Sequence, residues 1–494
     1  MTLTAKLRLW TKGLTMAAFG SFLSIQVNAQ GAGAAFEHGP DMMRAKIFPT
    51  ATVLPDGKII TFSGRELNFV SCMYSDLYNP ETNTFTETQM NYPHDASATV
   101  KMSDGRYFLL GGGQNLGVAP GYATTEIYNP ASETFEPKAS MTRERMQLAA
   151  VQLNDGKILV AGAWFNQAGA VTGEVYDPAS NTFTATGPMS DPRSQANIFP
   201  ATDGGAVVFG GWPSSGGSVK TTTEYYSASN NTFTGFYSEI IPADPGWIPA
   251  SITTRPFADC KLNNGKYIFM AYRSNGGTEY ALITFDPATK QFAKVNTGSA
   301  LINEYTDGGF ADFVLNKGHN LVYLIGTDAG FDPQRIAITT VNLSTGEVFH
   351  PSGSFELPAQ EYFYASYTFM PASGKILVLG INGSTSGYFT ATSKTFLLTP
   401  EITLSTENEE KNPAQVSVYP NPAREQITVR LPSSFSGNCH LRLIDNQGKL
   451  CLNQNVDSDS RTISLKTTGM RPGLYLLSLN SEGKSRTEKL IISD

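Results

Sequence analysis

A turn of the type Asp-Gly or Asn-Gly recurs along the chain at nearly even spacing, and it constrains the fold more than any other feature. It appears as Asp56-Gly57, Asp104-Gly105, Asp155-Gly156, Asp203-Gly204 and Asn264-Gly265, with Lys317-Gly318 and Ser373-Gly374 at two further equivalent places. The steps of 48, 51, 48, 61, 53 and 56 residues have the period of a propeller or array. Behind each turn runs a short apolar segment, such as Lys58–Phe62, Lys157–Val160 or Lys375–Leu379, which predicts a buried strand by length and β-branched content. Further on, an aromatic precedes a second turn, as in Tyr78-Asn79-Pro80, Tyr128-Asn129-Pro130, Tyr176-Asp177-Pro178 and Phe285-Asp286-Pro287. Seven residues later stand Phe85, Phe135, Phe183 and Phe292, and Tyr226 to Phe233 keeps the spacing. Each unit is therefore two hairpins, or four antiparallel strands. One such sheet cannot bury both faces alone, so neighbours stack, and radial closure gives an all-β, seven-bladed propeller. The segment Phe36–Met42 matches Phe183–Met189 in length and in its Phe and Met ends, with a Gly-Pro pair between them in both. An outer strand thus precedes the first full repeat and should complete the last blade beside residues 388–398, leaving no open edge.

Across residues 35–400 the unit resembles the kelch repeat. The paired glycines of that family appear as Gly111-Gly112 and Gly210-Gly211, with single ones at Gly64, Gly162, Gly326 and Gly380; Phe replaces the family's tryptophan before the outer strand. The Trp-Asp dipeptide of WD40 repeats is missing from every unit.

The two ends read differently. Lys6, Arg8 and Lys12 precede an apolar stretch from Gly13 to Ile25, and Val27-Asn28-Ala29 follows, which predicts a signal peptide over residues 1–29 cleaved before Gln30. The apolar run is too short for a bilayer span, which needs ~20 residues, so no membrane span is expected. Residues 401–415 have linker composition. From residue 416 to 494 strand alternation returns as a small Ig-like β-sandwich, with Asp445-Asn446-Gln447-Gly448 as a hairpin turn. Val418-Tyr419-Pro420-Asn421-Pro422, Gly469-Met470-Arg471-Pro472-Gly473-Leu474-Tyr475 and Lys489-Leu490-Ile491-Ile492 resemble the type A sorting domain of the type IX secretion system found in Bacteroidetes. That resemblance implies an address read by the outer-membrane translocon, with the cargo released or fixed to the cell surface.

Composition narrows the function. Lys plus Arg number 36 against 43 Asp plus Glu, a net charge of −7 with no basic domain, so nucleic-acid binding is unsupported. Four cysteines in 494 residues make no disulfide framework, and Cys72, Cys260, Cys439 and Cys451 lack zinc spacing. The five histidines, His38, His94, His319, His350 and His440, are scattered over different places of the repeat and the tail, so neither a metal nor another cofactor is expected.

In such a ring, two kinds of loop reach one face, here the top: those between blades, and those joining the second and third strands of a blade. The first kind aligns without gaps. Met42, Met90, Met141 and Met189 each stand 14 residues before their Asp-Gly turn, and Lys46, His94, Arg145 and Arg193 stand ten before it. Arg44 and Arg143 share another register, and Arg255 in the fifth blade lies one residue off the ten-residue one. A cationic half-ring would focus potential on an anionic ligand; equally, these residues could tie neighbouring loop carbonyls. The second kind of loop offers Arg65, Trp164, Trp212, Tyr272 and Arg273. The long 61-residue step carries Phe236–Ala250 with Trp247, expected to overhang the mouth, and Glu304 and Glu361 supply the opposite charge. A sialidase-like set could be drawn from Arg65, Arg145, Arg193 and Arg255, but the Ser-x-Asp-x-Gly-x-Thr-Trp turn of sialidases is missing. The expectation is a secreted or surface-attached propeller that binds an extracellular glycan or protein through its top face. The alternative is a carbohydrate-active enzyme, sialidase-, epimerase- or oxidase-like, with its site at the same mouth.

Overall fold

The computed structural model describes residues 35–400 and 417–492, apart from 67–69, 114–120, 165–170, 214–217, 253–254, 275–277, 298–309, 329–334, 350–354, 357–360, 363–364, 381, 384–389, 420–425, 432–437, 446–448, 458–461, 472 and 482–483. The signal-peptide and linker segments expected from sequence lie outside the described residues. The chain divides into two units, residues 1–401 and 402–494.

In blades 1 to 6 each repeat of the first unit forms one antiparallel sheet whose strands follow in chain order from the channel outward. Blade 1 is Thr50–Val53, Ile59–Phe62, Tyr74–Asn79 and Thr84–Gln89; blade 2 is Ala98–Lys101, Tyr107–Leu110, Thr125–Asn129 and Thr134–Lys138. Blade 3 runs Ala149–Gln152, Ile158–Ala161, Gly173–Asp177 and Thr182–Ala185, and blade 4 Asn197–Pro200, Ala206–Phe209, Thr223–Ser227 and Thr232–Tyr237. Blade 5 contains Ile248–Pro249, Tyr267–Ser274, Thr278–Asp286 and Gln291–Lys294; blade 6 contains Phe310–Asn316, Leu321–Asp328, Arg335–Asn342 and Val348–Phe349, with Phe355–Glu356 added to its third strand. Blade 7 joins Ser366–Met370, Lys375–Leu379 and Phe396–Thr399 to the N-terminal strand Ala35–His38, with Phe36 opposite Leu398. The ring is closed by both chain ends, as the Phe36–Met42 motif predicts.

The strands differ because their surroundings do. Second strands of blades 1–4 are buried at every position, being covered by a blade on each side, and they read as continuous apolar runs. Fourth strands alternate toward solvent. The seven-residue aromatic spacing is a rung of the outer hairpin. Tyr78 opposes Phe85 with ring centroids 5.0 Å apart, and Tyr128–Phe135, Tyr176–Phe183 and Tyr226–Phe233 repeat the pair at 4.9, 4.9 and 5.2 Å.

Blade 5 departs from the pattern. Its inner strand is cut to Ile248–Pro249, and the chain then makes a 3-10 turn, Phe257–Cys260, that touches the inner strands of blades 2 and 4. The turn crosses the channel. Phe257 packs edge-on against Phe199, and Asp259 accepts a hydrogen bond from Thr52 of blade 1 at 2.5 Å.

The second unit packs a three-stranded sheet, Ser417–Tyr419, Gln426–Arg430 and Thr462–Lys466, on a four-stranded one, Asn438–Asp445, Leu450–Asp457, Gly473–Ser481 and Lys484–Ile492. Their inward residues, among them Ile427, Leu441, Leu443, Leu477 and Leu490, form its core. All four cysteines are free thiols.

Candidate functional site

Lys46, His94, Arg145 and Arg193 occupy equivalent places, but each is fully buried. Each is ion-paired to a carboxylate on the third strand of its own blade: Lys46–Asp76 at 2.7 Å, His94–Glu126 at 3.0 Å, Arg145–Glu174 at 2.9 Å and Arg193–Glu224 at 3.2 Å. The second carboxylate oxygen accepts the backbone N–H just after the buried methionine, from Met43, Asn91, Thr142 and Ser190 respectively. His94, Arg145 and Arg193 also bind the carbonyls of Gly111, Gly162 and Gly210 at 2.7, 3.0 and 2.8 Å. Desolvation holds both Arg145 and Arg193 below the ordinary guanidinium range, with the glutamates pulling the other way. The expected ligand-facing half-ring is therefore corrected. These four side chains are spent on tying each interblade loop to its blade, and none reaches the mouth.

Trp247 is a second correction. It is fully buried, donates its indole N–H to Asp244 at 3.0 Å, and carries the Arg273 guanidinium 4.5 Å from its ring. Arg273 itself is held between Asp244 and Glu279, both at 2.6 Å. Tyr272 is half-buried on the rung opposite Ile248. Arg44 lies on its own blade, 3.7 Å over the Tyr74 ring and 3.0 Å from Glu87. Trp164 is half-buried, whereas Trp212 is 42% exposed in the top loop of blade 4. Glu304 lies outside the described residues, and Glu361 is described only through its backbone, in the short strand Glu361–Tyr362.

The structure brings Arg65 and Arg255 together with residues that sequence reasoning missed. Both line a cavity of about 230 Å³ above the 3-10 turn, with Phe48, Asp95, Thr99, Gln147 and Gln195. Arg65 pairs with Asp95, and Arg255 with Asp312, each at 2.5 Å. Desolvation pushes the Asp95 carboxyl above the usual 3.8 despite the pull of Arg65. Phe48, Ala96, Gln147 and Gln195, each two residues past a buried tie, all adopt left-handed backbone with φ of 56°, 55°, 54° and 54°. That conformation is costly for residues with a Cβ, and hydrogen bonds around the channel hold it: Gln147 N–H to Ala96 carbonyl at 2.7 Å, Gln195 N–H to Gln147 carbonyl at 2.8 Å. The ties thus present the residue two places on to the cavity. Gln147 Oε1 and Thr99 Oγ1 are buried in its wall with no hydrogen-bond partner, and buried polar groups of this kind ordinarily meet a ligand or water. Asp95 is the one carboxylate lining this cavity among the described residues.

Residues 417–493 match the family described as the secretion system C-terminal sorting domain. The C-terminal unit is a type IX sorting domain, so the protein is exported to the cell surface or the medium and engages the secretion machinery. No helix among the described residues is long and apolar enough to cross a membrane. No curated protein sequence matches the chain. A solved fungal alcohol oxidase of the AA5 family, in complex with copper, is similar at 17% identity and a TM-score of 0.51, covering 94% of this chain and 99% of its own. At that identity the likeness shows the β-propeller fold alone. The donors described here do not fit a copper centre. Both His94 nitrogens are engaged, by Gly111 and Glu126, and no three His, Cys, Asp or Glu of the described residues cluster closely enough to hold a metal.

Proposed function

We propose that the chain is an exported kelch-type propeller, residues 30–400, that binds an extracellular glycan through its top face. In this reading residues 1–29 are the signal peptide, 401–415 a linker and 416–494 the sorting domain. One observation carries the binding face. Every exposed large apolar residue of the propeller among those described, namely Met43, Phe48, Val70, Val171 and Trp212, lies in a top loop. Apolar exposure confined to one face marks an interaction surface. A glycan suits it better than a flat protein partner, because the cavity is smaller than the ~300–1,000 Å³ of whole-ligand pockets and is walled by unpartnered polar groups. Such a site takes the end of a chain, with apolar C–H faces on Phe48 in the cavity and on Trp212 in the adjoining top loop, paired with Ser194, and hydroxyls on Gln147 and Thr99. A lone carboxylate favours binding over hydrolysis, since glycosidases ordinarily need a pair.

A glycan array probed with the full chain, followed by mass analysis of any captured sugar, tests this reading. The expected result is a sugar returned unchanged, with Trp212→Ala and Gln147→Met each weakening it about ten-fold or more at unchanged melting temperature. Cleaved or oxidised sugar would favour the enzyme alternative, and equal binding by both variants would remove this site from consideration.

A further inference from the structure

Below the 3-10 turn the channel opens on the opposite face as a second cavity, of about 630 Å³. Three lysines from separate blades line it: Lys101 at the end of the blade 2 inner strand, Lys261 just after the turn, and Lys317 in the first hairpin of blade 6. One carboxylate, Asp259, stands among them. It is already engaged by Thr52 and lies 3.6 Å from Lys101. Among the described residues neither Lys261 nor Lys317 has an ion-pair partner. The amides at this rim are occupied in holding the turns: Gln152 bridges Ser103 and Gly156, Asn154 bonds the carbonyls of Ala201 and Thr202, and Asn263 bonds that of Lys317.

Elsewhere on this face cations are neutralised locally. Lys58 meets Glu133, Arg106 meets Asp104, Lys157 meets Asp177, Lys266 meets Asp286 and Lys290 meets Asp203. The lower mouth breaks that rule, holding three ammonium groups against one carboxylate, a local balance of 3 − 1 = +2 in a chain of net charge −7. Desolvation, and then Lys101 and Lys261, hold the Lys317 ammonium below its ordinary pKa of 10.5 although Asp259 opposes them. Like charges gathered in a concave site with low-dielectric walls focus potential on a counter-ion, and ammonium groups bind phosphate and sulfate as point charges.

We infer that the lower mouth is a binding site for an oxyanion, a phosphate or sulfate ester, seated between Lys101, Lys261 and Lys317. It is separate from the proposed glycan site and does not depend on it. The 3-10 turn lies between them, with Phe257 and Thr99 shared by both walls.

Isothermal titration of the full chain with inorganic pyrophosphate, with a sulfated disaccharide and with the same disaccharide unsulfated tests this. Pyrophosphate or the sulfated sugar should bind, the unsulfated sugar should not bind here, and affinity should fall as salt rises. The two positive probes separate a phosphate from a sulfate source. The double variant Lys261→Gln/Lys317→Gln should lose about ten-fold or more in affinity with its melting temperature nearly unchanged, because neither side chain has an ion-pair partner to lose and the Lys261 ammonium only lies 5.9 Å over the Tyr267 ring. Trp212→Ala should leave this binding intact. No heat from either anion, or equal affinity in wild type and the lysine variant, would overturn the inference.

Discussion

Replacing Arg145 by Met keeps most of the buried stem and removes the charge, and its cost follows from what is left behind. The guanidinium reaches Glu174 through Nε at 3.1 Å and Nη2 at 2.9 Å, the Gly162 and Thr172 carbonyls through Nη1 at 3.0 and 2.9 Å, and the Thr172 hydroxyl through Nη2 at 3.0 Å. After the change Glu174 stays buried as a carboxylate facing only the Thr142 N–H, the Gly162 carbonyl loses the guanidinium, and the Thr172 carbonyl keeps the long Gly162 N–H bond at 3.4 Å. Breaking one side of a buried pair costs about 3–5 kcal/mol. Unfolding entropy is ~2.1 cal/mol/K per residue, hence ~0.8 kcal/mol/K for a propeller of roughly 370 residues, so the melting temperature should fall by about 4–6 °C. Removing both charges, in Arg145→Met/Glu174→Leu, should recover much of that loss, since a buried pair replaced by apolar groups is often neutral. Calorimetry and a denaturant titration followed by tryptophan fluorescence measure both variants. A melting temperature within about 1 °C of wild type for Arg145→Met, together with weakened ligand binding, would refute the structural role and restore the ligand-facing reading.

Two further outcomes follow from the repeats. Burial alone would raise the Glu126 pKa, but hydrogen bonds from His94 and Asn91 outweigh it and hold the carboxyl below its usual 4.5. A depressed carboxyl contributes stability above its unfolded pKa and loses it as pH falls through the folded value. Melting temperature should therefore fall more steeply in wild type than in Glu126→Gln below about pH 4.5, and parallel curves would contradict it. In blades 1, 3 and 4 the rung tyrosine donates to a left-handed asparagine, Asn83, Asn181 or Asn231, at 2.9 Å. Blade 2 has Glu133 there, also left-handed, and the Tyr128 hydroxyl is buried without a partner. Glu133→Asn should add about 1 kcal/mol by satisfying that hydroxyl, more than the exposed Lys58–Glu133 pair contributes; an unchanged denaturation midpoint would count against it.

The ring was legible because its determinants are local. Asp-Gly turns, seven-residue Tyr–Phe rungs and the displaced outer strand Phe36–Met42 each specify a hairpin or its closure within a few residues. The direction of the loop side chains was not legible, since a repeat period gives register along the chain but not whether a position faces the axis or the blade. The missing signal stood nearby. Asp76, Glu126, Glu174 and Glu224 each lie two residues before the rung tyrosine, an acidic column matching the basic one. The channel-crossing turn was announced only by the 61-residue step, and the extra length was assigned to Phe236–Ala250 when the inner strand of blade 5 gives way at Phe257–Cys260.

These particulars imply a rule for reading repeats of this kind. A column whose chemistry is the same in successive blades, such as Lys46, His94, Arg145 and Arg193 with its acidic partner, does the same job in every blade, and that job is holding the loop. The position two residues on reads Phe48, Ala96, Gln147 and Gln195. Its backbone is the same in all four blades while its side chains run from Phe through Ala to Gln in two of them, so the scaffold constrains where these groups stand more than their chemistry. Lys101, Lys261 and Lys317 break symmetry in the same way on the opposite face, where Val53, Gln152 and Pro200 end the inner strands of blades 1, 3 and 4. Local exceptions to a consistent pattern cost stability or solubility unless something else is gained from them, which is why they concentrate at functional sites. In a seven-fold ring the repeat supplies the frame, and both proposed sites lie where the repeat is broken.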